Sequence, residues 1–143
     1  MNRDQAFTAG LLHDVGLAAF HALFPAVRRK CWSPALAEAE TRRKLGAILH
    51  EEVGASLALH WNLPASVVGA MGYHHRPKFA VRAVRMAWTV ATACELVESD
   101  LGIPSEIDGP SPSGGGFHGL GLSGDAEERL HQALADLRAR LAR

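Results

Sequence analysis

Cysteine, tyrosine and net charge are scarce in this sequence. Its 143 residues include 2 cysteines and 1 tyrosine, and 15 Lys and Arg balance 15 Asp and Glu. Cys31 and Cys94 lie far apart and form no CxxC pair, so neither a disulfide framework nor a structural zinc site is indicated, and a cytoplasmic location is expected. Because zero net charge provides no field to hold a nucleic-acid backbone, DNA is not an expected partner.

Long apolar runs are also missing. No run approaches the roughly 20 residues that span a bilayer, and the N-terminal MNRDQAF lacks the apolar core of a signal peptide. Nevertheless 48% of the residues are hydrophobic, enough for one domain with a real core. The expectation is a soluble globular chain with no membrane partner.

Alternating, β-branched runs are absent, and apolar residues instead recur every three and four positions. This periodicity predicts an all-α bundle of about six to seven helices with no sheet. The expected helices cover residues 4–16, 17–24, 35–45, 48–61, 65–75, 79–99 and 125–143. Asp4 is the expected first cap, Pro25 and Gly46 are expected breaks, and Asn62 with Pro64 predicts a turn.

Three regions are expected along the chain. Residues 1–101 form the helical core, and residues 102–124 form a flexible loop because they contain eight glycines and three prolines. Residues 125–143 form an amphipathic helix with a seam of Leu130, Leu134, Leu137 and Leu141. The seam is expected to dock on the body of the same domain, and pairing with another chain is the alternative.

Eight histidines are the main surplus, and most of the chemistry lies in three segments: GLLHDVG, LHEEVG and GYHHRP. Imidazole and carboxylate are ligands for zinc, iron or manganese when several helices turn them inward. The candidate metal ligands are His13, Asp14, His50, His74 and His75. A hydrogen-bonded polar cluster without metal stays open as the alternative. The negative end of the helix dipole should favour protonation of His74 and His75.

Four basic residues follow the double histidine and are a speculative site for a phosphate group. They are Arg76, Lys78, Arg82 and Arg85. Arg82 and Arg85 lie one helical turn apart and can receive an anion such as a nucleotide. A solvated charged face is the alternative interpretation.

The three histidine segments occur in the order found in a known family. AFTAGLLHDVG, followed by HEEVGASLALHWNLPASVVGAMGYHHRP, resembles the HDOD branch of the HD superfamily, and the likeness covers about residues 6–101. It implies an HD-domain-like, all-α helical bundle of five or more helices that is used in bacterial signal transduction. In the related HD-GYP branch, which cleaves cyclic di-GMP, the matching residues bind metal. The resemblance therefore implies the same five metal ligands.

The sequence departs from a catalytic HD site in its acidic residues. Such a site also has a histidine or carboxylate ahead of the His-Asp pair and an aspartate on the long helix after the double histidine. Here no histidine precedes His13, and residues 79–99 contain no aspartate, with Trp88 near the expected position. The GYP element is absent as well. Two metal ions would therefore lack compensating charge.

A second departure concerns the helices that usually precede the GLLHD segment in the HDOD branch. Only about a dozen residues precede it here. We expect a truncated variant or a fragment that resembles the C-terminal half of the domain. Its uncovered apolar surface would favour self-association into an oligomer.

These features predict a non-catalytic signal-transduction module that acts through a protein partner, self-association or ligand sensing. The alternative is a metal-dependent phosphohydrolase that acts on a nucleotide or cyclic dinucleotide. A divalent iron, manganese or zinc ion is the candidate cofactor, and a nucleotide is the candidate ligand.

Overall fold

The structure, a computed structural model, describes residues 1–31, 33–102 and 120–141. The described residues form helices and connecting turns without any strand, which confirms the all-α prediction. The α-helices are α1 (Arg3–Leu12), α2 (Val15–Lys30), α3 (Ala39–His60), α4 (Ala65–Tyr73), α5 (Val84–Leu101) and α6 (Gly124–Leu141). Short 3₁₀ helices at Pro34–Ala37 and Pro77–Phe79 precede α3 and α5. Most of the expected flexible loop lies outside the described residues.

The chain divides into two compact units, Met1–Val90 and Ala91–Arg143. In the first unit α2 packs on α3, α3 packs on α4, and α1 packs on α4. Small and medium side chains fill this core, including Ala9, Ala58, Val67, Ala70 and Met71. Small side chains let the helix backbones approach closely, and this brings polar groups from separate helices together.

Two expected helix breaks are wrong. α2 continues through Pro25 to Lys30, and α3 continues through Gly46. Gly46 is buried against α2, and a Cβ there would lie 3.0 Å from the Leu17 side chain and 3.2 Å from Phe20. The glycine therefore makes room for a neighbouring helix and does not end its own. At Gly46, tertiary packing overrides the local preference.

The first helix also differs from the prediction. Asn2 caps it by accepting from the backbone N–H of Asp4, so the expected cap lies in the first turn. Phe7 and Leu11 are 72% and 69% exposed, whereas Ala9 is fully buried. The helix is oriented by its contact with α4, where the Ser66 hydroxyl donates to Gln5 Oε1 at 2.8 Å.

The predicted turn between α3 and α4 is confirmed. Asn62 adopts φ 56°, in the left-handed region that asparagine enters more readily than most residues. Its N–H donates to Leu59 O at 3.0 Å, and the N–H of Leu63 donates to Ala58 O at 2.9 Å. These two bonds form a Schellman motif that satisfies the last carbonyls of α3. The motif fixes the reversal that brings α4 back along α3.

The second unit contains α6 and the C-terminal part of α5. Arg138 pairs with Asp100 and links the two helices within this unit. Leu130 and Leu137 remain exposed, so the unit does not bury the leucine seam, and its docking stays a prediction.

One stretch, Arg3–Lys30, is long and apolar enough to cross a membrane by length and composition alone, contrary to the sequence expectation. A single stretch of this kind is weak evidence, since core helices and signal sequences meet the same criterion. Here a turn at His13 and Asp14 interrupts it between α1 and α2.

Candidate metal centre

The turn between α1 and α2 presents an acidic side chain to the neighbouring helices. Asp14 is the N-cap residue of α2, with φ −97° and ψ 6°. Its carboxylate makes no capping hydrogen bond to the helix backbone, although aspartate is among the best capping residues. The carboxylate instead contacts the histidines His13, His50 and His74. A group that normally stabilises a helix end is used here for the cluster.

Close contact between α2 and α3 places this carboxylate near His50. Gly16 is buried against the backbone of α3, and a Cβ on it would lie 2.5 Å from Gly54 N and 2.9 Å from Gly54 Cα. No side chain larger than hydrogen fits at that position without separating the helices. Gly16 is two residues from Asp14, so the approach of the two backbones sets the position of the carboxylate.

The double histidine enters from the end of α4. His74 is the C-cap residue of that helix, and His75 follows it. His50 Nε2 lies 3.2 Å from His74 Nε2 and 3.0 Å from His75 Nε2. Asp14 Oδ1 lies 3.4 Å from His74 Nε2 and 3.6 Å from His50 Nε2. Ligand atoms of these four residues all lie within 4.8 Å of one another.

His13 lies beside the group of four. Its Nε2 is 3.2 Å from the second carboxylate oxygen of Asp14, and its ring meets the ring of His74 edge-on. Four of the five predicted metal ligands therefore surround one point, and the fifth contacts Asp14 Oδ2.

Backbone carbonyls fix the tautomers of three rings. Nδ1 donates to the carbonyl three residues earlier in His13 (Gly10 O, 2.8 Å), His50 (Ala47 O, 2.8 Å) and His74 (Met71 O, 3.0 Å). A carbonyl oxygen can only accept, so each Nδ1 carries the hydrogen. In the neutral ring Nε2 is then an acceptor, and the Nε2 lone pairs of His50 and His74 point toward each other.

Acceptors that face one another without a donor are unfavourable when buried. A hydrogen on His75 Nε2 can satisfy its pairing with His50, but the contact between His50 and His74 still needs a cation. Tetrahedral zinc with bonds of 2.0–2.1 Å would hold its ligand atoms about 3.3 Å apart. Four of the six separations among the ligand atoms, 3.0 to 3.6 Å, lie around that value, and all six are within 4.8 Å. The donor set therefore fits one borderline divalent ion.

The charges at the site agree with this donor set. In the metal-free chain, hydrogen bonds that His13 and His74 donate through Nε2 when protonated hold the pKa of Asp14 far below its ordinary value, so the carboxylate is ionised. A bound metal ion would take the place of the Nε2 proton of His74. Burial, followed by repulsion from His74 and His50, lowers the pKa of His75 to about 3. The expectation that the helix dipole favours protonation of His75 is wrong. Loss of water on burial and repulsion from the neighbouring rings outweigh the effect of the helix end. A neutral ring is the form that binds metal.

Sequence reasoning missed Glu51. Its buried carboxylate accepts the His75 backbone N–H at 3.0 Å through Oε1 and binds Arg76 through Oε2. Glu51 directly follows His50 in the LHEEVG segment, and this adjacency was the available signal.

The four predicted phosphate-binding residues differ in their surroundings. Arg76 is paired with Glu51, with Nη2 2.8 Å from Oε2. Lys78 lies over the Phe79 ring, with Nζ 5.2 Å from its centroid. Arg82 and Arg85 are exposed. Binding of an anion by these residues stays a prediction.

Comparison with known proteins gives one family match and one relative. The HDOD domain family matches residues 1–77. An uncharacterized protein of Treponema pallidum (strain Nichols) is 30% identical over 79 residues, covering 49% of this chain and 14% of that protein. The chain thus spans about one seventh of that relative's length. No solved structure matches.

Proposed function

Because this chain belongs to the HDOD domain family, we propose that it is a non-catalytic signalling module that holds one divalent metal ion. The ligands are Asp14, His50, His74 and His75. Carbonyl-fixed Nε2 lone pairs that converge beside an ionised carboxylate carry this proposal. One proton satisfies a single acceptor pair, whereas one metal ion satisfies all four acceptors.

The number of ions follows from the charge of the site. Asp14 contributes one negative charge, and the charge of Glu51 is offset by Arg76. One divalent ion leaves a net charge of +1 among the ligands, and two ions would leave +3. No second carboxylate in the described part of the chain joins the four ligands in one group. A single ion is therefore favoured over a two-ion centre.

The ligand types favour zinc, iron or manganese. Three imidazole nitrogens and one carboxylate oxygen suit borderline ions, and no thiolate takes part. The backbone hydrogen bonds of His50 and His74 are the outer partners that metal-binding histidines ordinarily have. They hold the ring orientation before the ion arrives.

The second candidate function is metal-dependent phosphodiester hydrolysis. Its support is that Asp14 is well exposed, so an anionic substrate can approach the site from that side. A single ion can activate water, but phosphodiester cleavage of the two-ion kind needs a second ion to stabilise the leaving oxygen. The charge of the ligand set disfavours that second ion.

Metal analysis and a turnover assay separate the two functions. The chain is purified without chelator, its metal content is measured, and hydrolysis of bis(p-nitrophenyl) phosphate is followed with added Mn²⁺, Fe²⁺ or Zn²⁺. We expect one bound ion per chain and no metal-dependent hydrolysis. His50→Ala should abolish metal binding, and His60→Ala, an exposed histidine on the same helix, should not. Metal-dependent turnover would establish the second function, and absence of metal would exclude the metal centre and, with it, the second function.

We propose that the module acts through a protein partner or a second copy of itself. Large apolar side chains are exposed on several helices of the first unit, among them Phe7, Leu11, Leu23 and Ile48. Apolar surface of this kind favours association. Sedimentation velocity over a wide concentration range tests self-association: a mass that rises with concentration supports it, and an unchanged monomer leaves only a different partner.

A further inference from the structure

We propose that Glu51 is a positioning residue that fixes His75 in the orientation needed to bind metal. The inference rests on the proposed metal centre, and it assigns a function to a buried acid that is not itself one of the four ligands. Its side chain is only 5% exposed. Burial of a carboxylate is costly unless hydrogen bonds and an opposite charge compensate it.

The two oxygens of Glu51 have different partners. Oε1 accepts the backbone N–H of His75 at 3.0 Å and lies 4.0 Å from His74 Nδ1. Oε2 accepts from Arg76 Nε at 3.0 Å and from Nη2 at 2.8 Å. One oxygen therefore faces the double histidine, and the other faces the arginine that follows it.

The bond to His75 changes how α4 ends. If the helix continued, the His75 N–H would donate to Met71 O, four residues earlier. α4 instead ends at Tyr73, and Met71 O accepts from the His74 ring. Glu51 takes the N–H that the helix releases. Because Glu51 accepts the His75 N–H, Met71 O can accept from the His74 ring. The His75 backbone stays attached to α3.

Arg76 completes the arrangement from the solvent side. Its guanidinium neutralises the buried carboxylate and holds Oε2, which leaves Oε1 directed at His75. Glu51 therefore holds residues 74–76 against α3, and it contacts His75, which is one of the proposed metal ligands. Outer partners of this kind commonly change metal affinity by 10–100-fold.

The test compares zinc affinity and stability in a matched set of variants. Glu51→Ala removes both the charge and the acceptor, and Glu51→Gln keeps a carbonyl oxygen for the His75 N–H. Glu52→Gln is the control, because Glu52 is adjacent on α3 and exposed. The zinc Kd of the full chain is measured by competition with a chromophoric chelator. The thermal unfolding midpoint is measured without metal.

We expect Glu51→Ala to weaken zinc binding by about 10–100-fold. Glu51→Gln should recover part of that loss, and Glu52→Gln should bind as the unaltered chain does. A zinc Kd within twofold of the unaltered chain in the folded Glu51→Gln and Glu51→Ala proteins, with only the unfolding midpoint lowered, would overturn the proposal. If Glu51→Ala does not fold, unchanged affinity in Glu51→Gln overturns it. Failure of the unaltered chain to bind zinc would instead overturn the metal centre itself.

Discussion

The two sides of the histidine cluster differ in their access to water. On the side formed by α3 and α4, the His50 and His74 side chains are 7% and 0% exposed. On the side formed by the turn between α1 and α2, His13 and Asp14 are 23% and 54% exposed. The buried side consists of rings fixed by backbone carbonyls, and the exposed side supplies the charge. In the proposed metal centre, folding therefore prepares the nitrogen ligands, and the carboxylate remains accessible to an arriving ion.

The largest expected effect on zinc binding and stability comes from a substitution on the buried side. His74→Ala removes a ligand, a ring with no exposed surface and a hydrogen bond to Met71 O. We expect it to abolish zinc binding and to lower the free energy of unfolding by about 2–4 kcal/mol. Urea denaturation and zinc titration measure the two effects. His21→Ala, at an exposed position on α2, is the control and should change neither. Zinc binding at unaltered affinity in His74→Ala would contradict the assignment of this ligand.

The next largest effect is expected from a substitution at the contact between α2 and α3, which joins the two sides. Gly16→Ala places a methyl group against the α3 backbone, so we expect a loss of about 1–3 kcal/mol in unfolding free energy and weaker zinc binding. Gly10→Ala is the matched control, since nothing lies within 4 Å of its Cβ position. That control should stabilise the chain by about 0.5–1 kcal/mol. Equal stabilities of the two variants would show that the close approach of α2 and α3 is not present.

The sequence predicted the members of the histidine cluster better than their surroundings. The order of the three segments indicated His50, His74 and His75, and Asn62 indicated the turn that brings α4 back to α3. The sequence did not predict a role for Glu51, because its burial depends on contacts with residues 24 and 25 positions later, and helical periodicity does not reveal such contacts. The Gly46 break was wrong for the same reason, since its neighbours Leu17 and Phe20 belong to another helix.

A smaller effect on stability is expected on the exposed side. Asp14→Asn removes the negative charge from the cluster but leaves an exposed side chain of the same shape. We expect zinc binding to weaken at least about tenfold, equal to about 1.4 kcal/mol of binding free energy. The free energy of unfolding without metal should change by less than about 1 kcal/mol. A large loss of stability with zinc affinity unchanged would reverse the roles that we assign to the two sides.

The smallest effect is the pH dependence of the metal-free chain. The pKa of His75 is lowered to about 3 by burial and by His74 and His50, whereas the unfolded ring titrates near its ordinary value of 6.5. Below that value the unfolded state binds the proton and the folded state does not, so stability should fall as the pH falls from 6.5 toward 3. The lowered pKa of Asp14 adds to the loss below its ordinary value of 3.8.

Urea unfolding at pH 7, 5.5 and 4.5 measures this dependence. His75→Asn should flatten the part of the profile between pH 6.5 and 4.5, because the substituted side chain does not titrate. An identical slope in the unaltered chain and in His75→Asn would show that His75 is not the group responsible.

Titration of the metal-free chain with Co²⁺, followed by visible absorption, tests the central claim most directly. Cobalt takes the same nitrogen and oxygen ligands as zinc, and its spectrum reports both stoichiometry and geometry. The account predicts saturation at one Co²⁺ per chain, with the strong bands of a four-coordinate ion that disappear in His74→Ala. A spectrum that shows no bound cobalt, or saturation at two ions per chain, would contradict it.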